Sequence, residues 1–157
     1  MEFYLPLKWV HILSSTLLFG TGLGTAFFMW RADRGRDIAA IAHTSRQVVL
    51  ADTVFTAPAV IAQPLTGIAM TLLAGIPLHT PWVAASLVLF VLIGCCWLPV
   101  VWLQWRVARN AAALHAAGSP PDARHDLYMR IWYALGWPAF LGIIAIFYLM
   151  VMKPPLW

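Results

Sequence analysis

Charge is what this sequence has least of. Of its 157 residues 10% are charged, only six of them acidic, whereas a soluble domain devotes about a quarter of its chain to Asp, Glu, Lys and Arg. Hydrophobic residues reach 62%, and the mean hydropathy is +0.79. So much apolar surface cannot be buried inside so short a chain, which excludes a soluble domain and leaves lipid to cover the remainder. In lipid every backbone N–H and C=O needs a partner within the protein, so only helices or a closed barrel cross it. The apolar runs are long and unbroken rather than alternating, and they are helices. Cysteine is scarce too: Cys95 and Cys96 are adjacent in an apolar run, where neighbouring helical side chains diverge by about 100°, so no disulfide framework exists. No CxxCH occurs, which excludes a covalently attached c-type haem. P-loop, GxSxG, HExxH and paired zinc-ligand motifs are missing as well. The formal charge of +4 resides in the loops between apolar runs, which suits a membrane surface rather than nucleic acid.

At about 20 apolar residues per crossing, one domain over 1–157 spans the bilayer four times, near 7–30, 48–74, 82–105 and 131–152. The first stretch is of full spanning length with arginine beyond it, and is expected to be a retained span rather than a cleaved signal. Arg31, Arg34, Arg36 and Arg46 flank the first loop and Arg106, Arg109, Arg124 and Arg130 the third, while the other side carries only Lys8 and Lys153. The positive-inside rule then predicts an all-α membrane four-helix bundle, N-out and C-out, with basic cytoplasmic loops 1 and 3. Gly75 to Pro81 reads as a tight outer turn, and Ala117 to Asp122 as a break in the inner loop. Prolines 58, 64, 99 and 138 fall inside spans and tend to kink them. Trp30, Trp82, Trp105, Trp132 and Trp157 fall near span ends, as an interfacial aromatic belt requires.

Helical periodicity sorts the faces. His11, Ser14, Ser15, Leu18, Gly22, Thr25 and Met29 share one face of the first span. Thr16, Gly20 and Gly24 form a small-xxx-small series on the other, which admits a close helix neighbour in the bundle, a homodimer or a larger membrane complex. On the second span Asp52, Thr56, Ala59, Gln63, Thr66, Gly67 and Met70 form a polar or small stripe, expected to face helix 1 or a cavity. Asp52 is costly there unless paired; Arg46, Arg130 or a hydroxyl are the available partners, and Gln104, Tyr133 and Trp137 the candidate extensions of a network of Asp52, Gln63 and Arg130.

Of five histidines, His43, His115 and His125 are expected to be solvated beside the basic loops, and His79 lies in the outer turn. His11 alone falls within a span, where an imidazole needs a hydrogen-bond partner, a metal or a cofactor. The cofactor reading makes His11 an axial ligand of haem b iron, with Ser14, Ser15 and Leu18 as the nearer wall. Met70, by depth and face, or His79, by depth and ligand strength, would be the second ligand.

The segment Leu7-Lys8-Trp9-Val10-His11-Ile12-Leu13 resembles the Lys-x-x-His opening of the CopD/HemJ-like membrane proteins. Leu17 to Phe28, Gln63 to Gly67 and Cys96 to Gln104 resemble an uncharacterised family of predicted bacterial integral membrane proteins in that group. The HemJ resemblance implies haem b in a bundle of the bacterial inner membrane, oxidation of protoporphyrinogen, and an essential first-span histidine, which is His11 here. The CopD resemblance implies copper handling, for which Met70, Met150 and Met152 offer no clustered ligand set. The resulting expectation is a b-type cytochrome or porphyrin-handling oxidoreductase, exchanging electrons with a quinone or redox partner. Its alternatives are a cofactor-free subunit or assembly factor docking other membrane helices, or a small transporter using the Asp52/Gln63 stripe.

Overall fold

The computed structural model describes residues 2–156, and among them no strand occurs. Helix α1 is Tyr4–Gly35, α2 Ile38–Ala51, α3 Ala57–Leu73, α4 Pro81–Ala116 and α5 Ala123–Met152; a π turn, Asp52–Thr56, joins α2 to α3 as one long rod. Four rods are thus long and apolar enough to cross a membrane. Trp157 lies outside the described residues.

The connections follow from local chemistry. Arg36 closes α1 in the left-handed conformation at φ 55°, and the Asp37 carboxylate accepts from the Ala39 N–H to start α2. Gly75, at φ 67°, ends α3, where Ile76 N–H donates back to Thr71 O in the manner of a glycine C-cap. Gly118, at φ 63°, ends α4 in the same way. Asp122 starts α5, accepting from the His125 N–H at 2.8 Å and the Asn110 amide at 3.0 Å. The His125 N–H first, and the Asn110 amide with it, hold the Asp122 carboxyl below the usual carboxylate range. A depressed folded-state value makes this a stabilising contribution that is complete above about 3.8 and lost as pH falls below it. Asp122→Ala is therefore expected to cost about 1 kcal/mol at neutral pH and less in strong acid, where the protonated carboxyl is a weaker acceptor, measured by denaturant titration at both.

The π turn has an identifiable cause. Pro58 has no N–H and its ring crowds the carbonyl four residues back; one widened turn, with Ala57 N–H donating to Asp52 O, relieves that crowding without breaking the rod.

The helices outrun the apolar segments at the arginine-rich end, because the sequence there is rich in Ala, Arg and Leu, all good helix formers. That end also holds the core: Met29, Ala32, Ile41, Val48, Val100, Leu103, Val107, Ala111, Met129 and Trp132. Trp132 belongs to this core, at 8% exposure, and not to an interfacial belt as its position suggested. Its ring faces inward because it continues the stripe of His125 and Met129. At the end carrying the termini the four rods pair off. Buried Ser14, Thr66 and Thr71 lie on α1 and α3, and buried Val83, Ser86 and Leu149 on α4 and α5. There α3 scarcely meets α4 or α5, and α1 meets α5 through Phe19, stacked on Phe140 at 5.3 Å and edge-on to Phe147 at 5.6 Å.

The α4–α5 contact depends on Gly142, where a Cβ would stand 2.7 Å from Ile93 Cγ1. Gly142→Ala is expected to destabilise by about 1–3 kcal/mol through overpacking, and Ile93→Ala should restore part of it. Additive losses in that double-mutant cycle, read by unfolding in mixed micelles, would remove this account.

Candidate functional site

His11 is the centre of a polar cluster between α1 and α3. Its Nδ1 lies 2.8 Å from Thr66 Oγ1, and the Thr66 hydroxyl donates its proton to Ala62 O at 2.6 Å. With that proton on Ala62 O, we assign Nδ1–H as the donor to Thr66. The Nε2 lone pair is left free, and Nε2 has no hydrogen-bond partner among the described residues. Gln63 Nε2 donates to His11 O and to Ser14 Oγ, both at 2.7 Å, while Ser14 Oγ donates to His11 O at 3.1 Å. The ring packs against Gly67, where a Cβ would be 3.2 Å from His11 Cε1; glycine is what lets the imidazole sit on the α3 backbone.

The direction of His11 follows from its neighbours. Ser14 points toward α3, where it meets Gln63, and Phe19 points toward α5. At 100° per residue His11 falls between those directions, roughly 60° from Ser14 and 80° from Phe19. It faces the region between the two helix pairs rather than lipid, and Ser15, Leu18 and Gly22 share that sector. Leu18 and Gly22 are half-buried, and the Ser15 hydroxyl donates to Ile12 O at 2.7 Å. Met70 is half-buried on α3, one turn beyond Thr66 toward the termini, and His79 is exposed in the 74–80 connection. Gly20 is exposed, and no atom comes near a Cβ at Gly20 or Gly24; among the described residues that face of α1 has no close neighbour.

The expected network of Asp52, Gln63 and Arg130 is divided. Gln63 serves His11. Asp52, at 6% exposure in the π turn, accepts from Thr56 Oγ1 at 2.8 Å and adjoins the Gln104 amide. Arg46, Arg130 and Trp137 are exposed, and Asp52 forms no ion pair among the described residues. Arginines at these positions turn outward because the helix faces that carry them look away from the core.

Sequence reasoning missed a third cluster at the arginine-rich end. His125, expected to be solvated, is fully buried: its Nε2 lies 2.8 Å from Asp33 Oδ1, and Tyr133 Oη donates to Asp33 Oδ2 at 3.0 Å. Tyr133 thus serves Asp33, not Asp52. Arg36 pairs with Asp126 beside them and donates to Pro121 O at 3.3 Å. The signal was present in the periodicity. Asp33 continues the His11-to-Met29 face by one more turn, and His125 stands in phase with Met129 and Trp132. His43 and His115 are exposed, as expected.

Among the described residues no three His, Cys, Asp or Glu side chains converge as a metal site. Residues 5–154 match the model of a family described as Predicted integral membrane protein (DUF2269). No curated protein and no solved structure matches the chain.

Proposed function

We propose, for a chain that belongs to this family of integral membrane proteins, a haem b-binding redox function with His11 as an axial ligand of the iron. One arrangement carries the reading: His11 Nδ1 is tied to Thr66 Oγ1, which itself lies 2.6 Å from Ala62 O, and with Nδ1–H assigned as the donor the Nε2 lone pair is presented between the helix pairs. A histidine ligand oriented by a hydrogen bond from its other nitrogen is the arrangement metal sites use. A lone imidazole suits haem, whose porphyrin would supply most of the iron's ligands, whereas a bare ion needs several protein ligands. Haem would supply one-electron chemistry. The chain's own part is to fix the His11 tautomer through Thr66, hold the backbone at His11 through Gln63, and line the site with Ser14, Ser15 and Leu18. Met70 and His79 remain the two candidates for the second ligand.

Arginine bias supports an orientation with the Arg36 and Asp122 connections in the cytoplasm and His11 toward the outer side of a bacterial inner membrane. The CopD/HemJ resemblance supports a porphyrin or electron-transfer partner, such as a quinone. The test is spectroscopic. Protein purified in detergent from haem-sufficient cells should show a Soret band that shifts on dithionite reduction; a colourless preparation that does not take up added haemin removes the proposal. A second reading, a cofactor-free subunit docking another membrane helix or a second copy, draws on the open Gly20/Gly24 face and is favoured by that colourless outcome.

A further inference from the structure

Asp52 combines burial with the lack of a counter-charge. It is a carboxyl inside the long α2–α3 rod at 6% exposure, and the acidic side chains seen paired with basic ones among the described residues are Asp126, with Arg36, and Asp33, with His125. Neither helix packed against the π turn offers it a cation. On α1 the nearest charged residue toward the arginine-rich end is Arg31, and on α4 it is Arg106; both are exposed, as are Arg46 on its own rod and Arg130 on α5. A bare carboxylate so placed is costly, and taking up a proton is the ordinary escape.

The neighbours supply the place for that proton. Thr56 Oγ1 already donates to Oδ1. Gln104 adjoins the carboxyl and is itself 7% exposed, yet its Oε1 is buried with no donor. An acid O–H is the donor this oxygen lacks. Turning the amide end for end, which changes almost nothing in shape, brings Oε1 to the carboxyl. The nitrogen then faces a cavity of about 10 Å³ that Gln104 shares with Ser45 and Trp132.

We infer that Asp52 is a proton-binding site, a neutral carboxylic acid at neutral pH whose O–H donates to Gln104 Oε1. No bond other than O–H forms or breaks; the proton comes from water at the arginine-rich end, where exposed Arg46 is six residues, about 9 Å, along the rod. The inference does not rest on the haem reading.

Infrared spectroscopy of the protein in lipid vesicles at neutral pH tests it. The expected result is a carboxylic-acid C=O band, displaced downward in heavy water and again by 13C-aspartate labelling, absent in Asp52→Asn and moved in Asp52→Glu. Gln104→Leu, which removes the acceptor, should shift the band upward. No such band in the wild type, or one unchanged in Asp52→Asn, overturns the proposal. If Asp52→Asn fails to fold by circular dichroism, the labelled wild type and Gln104→Leu decide: an aspartate band that Gln104→Leu moves supports it, and one that Gln104→Leu leaves in place overturns it.

Discussion

On the proposed haem reading, His11→Ala is expected to abolish the Soret absorbance, while His115→Ala leaves it unchanged, since His115 is exposed at the end of α4. The contrast is large because an axial imidazole has no substitute on its helix face, where the nearest residues are Ser14, Ser15 and Leu18. Added imidazole should restore a low-spin spectrum to His11→Gly, as replacing a missing ligand would. Thr66→Val removes the acceptor that fixes the Nδ1–H tautomer and should weaken haem binding about 10–100-fold. Thr66→Ser, which keeps the hydroxyl, should bind as the wild type does. Gly67→Val drives a side chain into the imidazole and should resemble His11→Ala more than Thr66→Val. Substitutions of Met70 and His79 then identify the sixth ligand, since loss of the true one leaves a high-spin spectrum. Full haem content in His11→Ala would end the ligand assignment even with the cofactor present.

Asp33→Ala should be the most destabilising change at the arginine-rich end, by about 3 kcal/mol, because two hydrogen bonds to one carboxylate are lost together. It strips the fully buried His125 of its partner and leaves the Tyr133 hydroxyl without its acceptor. Tyr133→Phe, which deletes one hydrogen bond and keeps the ring, should cost about 1 kcal/mol. The difference arises because Asp33 joins α1 to two positions of α5, whereas Tyr133 supplies only one of those ties. Reversible unfolding in mixed micelles, followed by far-ultraviolet circular dichroism, measures both. Asp33→Ala unfolding alongside the wild type would mean that the pair is solvated rather than structural.

Membrane insertion, helix type and the inward stripe of the second rod were legible from composition and period alone. Asp52, Thr56, Ala59 and Thr66 are buried and Gln63, Gly67 and Met70 half-buried, as their spacing indicated, and the π turn ahead of Pro58 did not throw the stripe out of phase. The partners were less legible. His11 needed a partner, but that it would be Thr66, with Gln63 on the neighbouring carbonyl, depends on the antiparallel register of α1 and α3. Loop histidines look alike in a sequence, yet His43 is exposed and His125 is buried. Helices continuing past the lipid carry a core of their own, and only His125 is on its inner face.

Hydropathy and periodicity fix which residues are in a bilayer and which face each helix presents, because both depend on side chains and their spacing along one chain. Which face meets which is a property of four helices at once. The association of α1 with α3 and of α4 with α5, the separation of Asp52 from Gln63, and the pairing of Asp33 with His125 across 92 residues all arise from packing between segments remote in sequence, and no local pattern encodes them.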